Sequence, residues 1–357
     1  MKYVITILLL LHGAIHLLGT AKAFNIGNIT PLSKEVSKPS GVLWLVTAIL
    51  FIVSMVLYLM KKETWWLVCG VAVLLSQVLI FMYWTDAKYG TIANVVLLFI
   101  IVLSYADQQF YGRFRQDVRS YFNQPDETTD PGMLTEEDIV HMPEAVQRFI
   151  RHSGALNKPK VNSFRVEMSG RIRKDEDSEW MPFTTVQYNF LRSATRLFYM
   201  SATMKSLPVK GYHKFADGHA FMDIRLLSLF KVQYQDGNKM DISETVTFFN
   251  DMCCMAPATL IDSRVKWLEA DSNKVKAAFT NNNITITAWL YIDKSGALVN
   301  FVSEDRYAIT DNNTIERLPW STPLKDHRDL GGYTLPGYAD LINSYPGKDF
   351  CYGNFYA

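Results

Sequence analysis

Hydrophobic positions follow two patterns along this chain, and the change comes near Tyr105. Before it, apolar residues form four long runs, Tyr3–Leu18, Gly41–Met60, Thr64–Trp84 and Tyr89–Tyr105. Each run approaches the roughly 20 residues that a helix needs to cross a hydrocarbon core of about 30 Å. The three later runs carry Trp or Tyr near their ends, where aromatic rings settle at a membrane interface. Residues 1–105 therefore read as a four-helix transmembrane domain. The first run has a rival reading as a cleaved signal segment, because Lys2 precedes it and Ala21-Lys22-Ala23 follows it. Against that reading stand His12 and His16 inside the run and Lys22 at the would-be cleavage site.

Beyond Tyr105 the apolar positions shorten and begin to alternate. The fourth helix is expected to continue to about Tyr121, and residues 106–134, with Pro125 and Pro131, read as a helical extension and linker. Residues 135–357 read as a soluble domain. Thr135 suits a helix N-cap with Glu136, Glu137 and Asp138 behind it, and a second helix opens at Pro143 and closes near Ser153 before Gly154. From Val161 onward, period-two stretches between Gly, Asn and Asp turns predict strands at Ser163–Arg173, Phe183–Phe190, Arg196–Met204, Val209–Phe215, His219–Ile224 and Lys231–Gln235. After an interruption come Val265–Ala270, Lys274–Thr280, Ile284–Ile292 and Leu298–Tyr307. The interruption, Ser243–Leu260, reads as a helix capped by Ser243 and broken or restarted at Pro257. The expected fold is an N-terminal all-α transmembrane bundle plus a C-terminal α+β domain. In the latter a curved antiparallel sheet forms an open half-barrel, with helices covering its concave face.

Averages conceal this division. Over 357 residues, 49% are hydrophobic and 20% charged, with a net charge of +1. No basic cluster stands out beyond the arginines after the fourth run, so nucleic acid is not an expected partner; the lipid bilayer is. Cys69, Cys253, Cys254 and Cys351 show neither metal spacing nor a disulfide framework. No metal or other cofactor is expected, and the oligomeric state is not legible. With the N-terminus inside, Lys2, Lys61, Lys62, Arg113, Arg115 and Arg119 fall on the cytoplasmic side, against Lys22, Lys34, Lys38 and Lys88 outside. That count predicts a multi-pass inner-membrane protein with a cytoplasmic soluble domain.

Polar residues within apolar runs are costly, and here they gather. His12 and His16 share a helix face, Ser76 and Gln77 sit mid-run, and Trp84, Thr85, Asp86 and Lys88 occupy a tight loop just before Asn94. Two readings apply to the set His12, His16, Gln77, Trp84, Asp86, Lys88 and Asn94. One is a quinone, haem, metal or small-ligand site; the other is interhelical hydrogen bonding, with Asp86 and Lys88 as an interfacial ion pair. Histidines one turn apart on one helix cannot ligate opposite faces of a single haem iron.

In the soluble half the strands are rich in aromatics. Phe190, Phe198, Phe221, Trp267 and Trp289 are candidate linings of a pocket for a lipid-like ligand, or ordinary core. Glu244 and Asp251 lie two turns apart on one face of the inserted helix, and Arg306 is a candidate partner for Asp251 in a buried ion pair. The histidines of this half stand in unrelated contexts, and no catalytic constellation is visible.

The segment Met142-Pro143-Glu144-Ala145-Val146-Gln147-Arg148-Phe149-Ile150, with Phe164-Arg165-Val166 and Ser169-Gly170-Arg171, resembles the start of a family of uncharacterised bacterial membrane-anchored proteins. Further matches follow in order at Ser243-Glu244, Asn250-Asp251-Met252, Pro257-Ala258, Trp267, Arg306, Pro319-Trp320, Asp329–Tyr333, Leu335-Pro336 and Tyr352-Gly353. His12-Gly13, His16, Gly19 and the stretch from Trp84 to Asn94 look like the four-helix region carried by some members. The soluble domain of that family is similar in architecture to lipid carriers of the lipoprotein-localisation type. The resemblance implies a half-barrel that holds acyl chains beneath helical lids, and supplies no catalytic residues. Two functions follow as expectations: a membrane-tethered protein binding a lipid or another apolar molecule, or a membrane enzyme or redox component built on the intramembrane polar set.

Overall fold

The computed structural model describes residues 2–27, 29, 32–123, 132–309 and 314–357. Pro125 and Pro131, read above as linker, lie outside the described residues. The chain forms two compact units, Met1–Tyr111 and Gly112–Ala357.

The first unit contains α1 (Lys2–Ala23), α2 (Lys38–Leu59), α3 (Trp65–Met82), α4 (Trp84–Ala87) and the first part of α5 (Gly90–Phe122). Four of these, α1, α2, α3 and α5, are long and apolar enough to cross a membrane. The segment expected as a tight loop is the single turn α4. Ser37 caps α2 by accepting a hydrogen bond from the Ser40 N–H, and Pro39 occupies its first turn, where a missing N–H costs nothing. Small residues let α1 and α2 approach closely. A Cβ on Gly19 would lie 2.3 Å from the Trp44 ring, and one on Gly41 would lie 2.2 Å from the Ala23 methyl. Leu9, Phe51, Cys69, Ala72 and Leu97 fill the bundle interior, while Leu10, Ile15, Leu74 and Phe99 point outward, as suits a lipid-facing surface.

The second unit begins with the end of α5. Phe114 and Val118 are buried, and Phe114 packs on Tyr188, Tyr199 and Tyr212 with ring centroids 5.4–6.1 Å apart. Short helices α6 (Glu136–Ile139) and α7 (Glu144–His152) precede the strands β1 (Ser163–Ile172), β2 (Met181–Phe190), β3 (Thr195–Met204), β4 (Leu207–Ala216), β5 (His219–Leu226) and β6 (Phe230–Asp236). Helix α8 (Asn238–Met255) and a 3-10 turn (Pro257–Ile261) follow. Then come β7 (Val265–Ala270), β8 (Lys274–Asn281), β9 (Ile284–Ile292), β10 (Leu298–Ser303), β11 (Tyr307–Ile309), β12 (Ile315–Arg317), β13 (Trp320–Ser321), β14 (Leu324–Leu330), β15 (Tyr333–Tyr345) and β16 (Lys348–Tyr356).

Among the described residues these strands make one antiparallel sheet in the order β6-β5-β4-β3-β2-β1-β16-β15-β13-β10-β9-β8-β7, with β14 paired to β15. The β11–β12 hairpin stands apart. Two meanders therefore meet at the β1–β16 seam, and the open edges are β6 and β7, the strands on either side of α8. The sheet does not close on itself, so it is a half-barrel. Residues Ser243–Cys254 of α8 are buried throughout. Phe248 and Phe249 stack on Phe279, and Phe215 and Phe301 lie alongside.

Three sequence expectations shift. Helix α8 starts at Asn238 rather than Ser243, because Gly237 takes φ 86° and turns the chain out of β6 directly into the helix. Ser243 is not a cap: its Oγ donates to the Lys239 carbonyl and accepts the Tyr307 N–H. The strand expected to run to Tyr307 stops at Ser303, and the chain re-enters extended structure as β11.

A candidate ligand cavity and two buried polar clusters

In the first unit, three helices contribute to one hydrogen-bonded set. His16 Nδ1 lies 2.7 Å from the His12 carbonyl. A carbonyl only accepts, so that nitrogen carries the proton and His16 Nε2 is left to accept from Ser76 Oγ at 3.0 Å. His12 Nε2 donates to Asn94 Oδ1 at 2.8 Å. The Asn94 amide donates to Ser76 Oγ and to Gln77 Oε1, each at 3.0 Å, and Gln77 Nε2 donates to Thr91 Oγ1 at 3.2 Å. With neutral imidazoles each of these contacts pairs a donor with an acceptor, and the set ties α1, α3 and α5 together.

The remaining members of the predicted set lie elsewhere. Asp86 accepts from the Ser33 hydroxyl at 2.6 Å and from the Ser33 and Lys34 backbone N–H groups, which hold its carboxyl below the usual range. Among the described residues it makes no ion pair with Lys88, whose ammonium sits 5.3 Å from the Tyr89 ring centre. Trp84 is exposed and stacks on Phe81.

In the second unit, the concave side of the sheet and α8 enclose a cavity of about 1180 Å³. Strand alternation sends Phe198 and Met200 of β3 into it, whereas Tyr199 between them faces the end of α5. Met168, Phe183, Met222 and Ile224 extend the apolar wall, and Met240 and Met255 contribute from α8. Methionine is flexible and polarisable, so such a wall adapts to irregular apolar guests.

Of the five aromatic candidates, Phe198 lines the cavity. The other four do not. Phe190 packs against Tyr121 and Phe122, Phe221 against Tyr212 and Tyr234, and Trp289 lies under the Lys274 ammonium. Trp267 packs against the core formed with α8. Their aromatic character was readable, but which face each side chain takes depends on register.

A charged cluster borders the cavity. Arg196 donates through Nε to Asp251 at 2.8 Å, through Nη1 to Glu244 at 3.1 Å and through Nη2 to Gln187 at 3.0 Å. The Gln187 amide and Asn189 donate to the same Asp251 oxygen at 2.7 and 3.2 Å. Glu244 and Asp251 do project together, as their spacing implied. Their partner, however, is Arg196 and not Arg306. Burial raises the Asp251 carboxyl above its ordinary range, and the Arg196 charge opposes that rise without cancelling it. Burial alone would lower the Arg196 value, but the two carboxylates outweigh it.

Arg306 instead stacks over Trp320, 4.7 Å from the ring centre, while the Trp320 indole N–H donates to the Tyr352 hydroxyl. His213 completes the polar wall, half-buried beside Phe198. Burial, then the charges of Arg196 and Arg306, push its imidazole down to about 3, so it is neutral at physiological pH. Arg196, Gln187 and His213 escaped sequence reading because none stands in a motif. The signal available was alternation, which places Arg196 on the same strand face as Phe198.

Residues 132–355 match the model of a family of unknown function, DUF6544. The chain belongs to DUF6544. The matched span holds Arg196, Glu244, Asp251 and Arg306 and excludes the four apolar helices, so the cavity is a feature of the DUF6544 region itself. Among curated proteins, none matches the chain. Among solved structures, a LolA superfamily protein from Nitrosomonas europaea aligns with 59% of this chain and 89% of its own, at 8% identity and a TM-score of 0.29. So distant a likeness carries no argument about this DUF6544 chain.

Proposed function

We propose that this chain is a membrane-tethered binding protein whose half-barrel holds a lipid or another apolar molecule. The observation that carries this reading is the cavity: about 1180 Å³, walled by Met168, Phe198, Met200, Met222 and Ile224. That volume exceeds the ~300–1,000 Å³ of ordinary small-molecule sites. The exposed wall is mostly apolar, and the charged cluster at its border, Arg196 with Glu244 and Asp251, pairs within itself, which suits a guest held largely by its hydrocarbon. The hydrogen-bond set of the first unit supports a structural role there, pinning α1, α3 and α5, over a role as a redox centre.

The reading includes four membrane crossings with the soluble domain on the cytoplasmic side, supported by the Lys and Arg balance of the short loops. Extraction in mild detergent followed by lipid analysis tests the ligand. Wild type should retain stoichiometric lipid, and Met200→Trp, which narrows the cavity, should retain less; a native wild-type preparation free of lipid would sink the reading. Protease access to the soluble domain in intact cells would overturn the orientation.

A further inference from the structure

Several buried side-chain nitrogens and oxygens among the described residues have no hydrogen-bond partner, and only one of them, Arg306 Nε, belongs to a residue lining the cavity. No carboxylate among the described residues lies within ion-pair distance of this guanidinium. The neighbouring Asp305 is already engaged, by Arg317 at 3.3 Å and by the Thr287 backbone N–H at 2.7 Å. The three acids of α8 are engaged as well, Glu244 and Asp251 by Arg196 and Asp241 by the Ala220 backbone N–H at 2.7 Å. A cation kept beside an apolar cavity with an orphaned N–H is an arrangement that folding alone disfavours, and an acceptor supplied from outside the chain would complete it.

We propose that the cavity takes an anionic amphiphile, with its carboxylate or phosphate head bound by Arg306 above Trp320 and its hydrocarbon along the Met200 wall. The inference rests on the ligand-binding reading above and names the class of ligand. Arg is suited to the task because its planar fork meets carboxylate and phosphate oxygens with paired hydrogen bonds. Trp320 supports that fork from 4.7 Å, and its own indole N–H is held by the Tyr352 hydroxyl. Beside them His213 lines the same wall, its imidazole lowered first by burial and then by the charges of Arg196 and Arg306.

The test uses the full chain in detergent, stripped of lipid, and native mass spectrometry with three probes of equal chain length: palmitate, 1-palmitoyl lysophosphatidate and 1-monopalmitoylglycerol. Wild type should favour at least one anionic probe over the neutral one by about ten-fold or more, the worth of a hydrogen bond to a charged group. Arg306→Gln should abolish that preference, bringing palmitate and lysophosphatidate down to the level of monopalmitoylglycerol. Arg306→Lys should keep more of the phosphate probe than of palmitate, since a point charge serves phosphate better than it serves a planar carboxylate. Preference for palmitate alone assigns a fatty acid, and for lysophosphatidate alone a phospholipid. If wild type binds all three alike, or Arg306→Gln keeps the preference, the anion inference fails while the cavity reading stands. If none of the three binds, both fail.

Discussion

Both units of this molecule bury polar side chains, and they do so by opposite means. The His12, His16, Ser76, Gln77, Thr91 and Asn94 set of the first unit contains no ion pair and joins its side chains to one another by hydrogen bonds. The second unit buries full charges: Arg196 sits between Glu244 and Asp251, and Arg306 faces the cavity with an N–H unpaired. In a hydrocarbon core no water repairs an incomplete network, so polar groups are tolerated there when they close on themselves. The wall of a ligand cavity can keep a group open to a guest, and Arg306 is the cavity-lining group worth probing.

The largest effect should come from Arg196→Met. Removing one member of a buried ionic cluster strands the others, and the expected loss is about 3–5 kcal/mol, seen as an early melting transition of the second unit. Should that variant melt like wild type, the cluster does not hold α8 to the sheet. Next comes Asn94→Leu in the bundle, where interhelical hydrogen bonds are worth less. A loss of about 1 kcal/mol is expected, read as detergent-induced unfolding of the helical region alone. A loss matching that of Arg196→Met would erase the distinction drawn between the two clusters.

Acid should sharpen the contrast further. His213 is neutral in the fold with its pKa lowered to about 3, while the unfolded chain takes up a proton near 6.5. The unfolded state therefore binds more protons between those values, and stability should fall as pH drops from about 6.5 toward 3, by up to ~1.4 kcal/mol per pH unit. Asp251 works the other way: its raised value lets the folded state bind the extra proton, so acid above the ordinary carboxylate range favours folding. His213→Asn should flatten the acid loss of the wild type; an unchanged slope would place the titration elsewhere. The smallest stability effect is expected for Arg306→Gln, close to none by thermal melting, because it deletes an N–H that the fold leaves unsatisfied.

Much of this architecture was legible beforehand, for physical reasons that also explain the gaps. Uninterrupted apolar runs revealed the four long helices, and period-two alternation located β1 through β10 to within a few residues. The strands from Leu324 to Tyr356 were not assigned. In β14 charges crowd the sequence Lys325-Asp326-His327-Arg328-Asp329, and β15 carries Pro336-Gly337 mid-strand, a pair that ordinarily argues against a strand. At the site, the helical spacing of Glu244 and Asp251 correctly put both on one face. The identity of their partner was not available, because Arg196 reaches them through sheet register, and register is invisible in a single sequence.

The β1–β16 seam has a consequence for how the domain is made. Ser169 pairs with Tyr356 and Ile172 with Gly353, and at Gly170 a Cβ would come within 2.1 Å of the Asn354 carbonyl oxygen. As the chain emerges from the ribosome, the first meander can assemble early, but one flank of β1 lacks its neighbour until Lys348–Tyr356 has been translated. For that interval the nascent chain carries an unprotected sheet edge, a template for pairing with other chains. Slow elongation or a stop before Lys348 should therefore yield aggregates, and bulk at Gly170 should reproduce them in the full-length product.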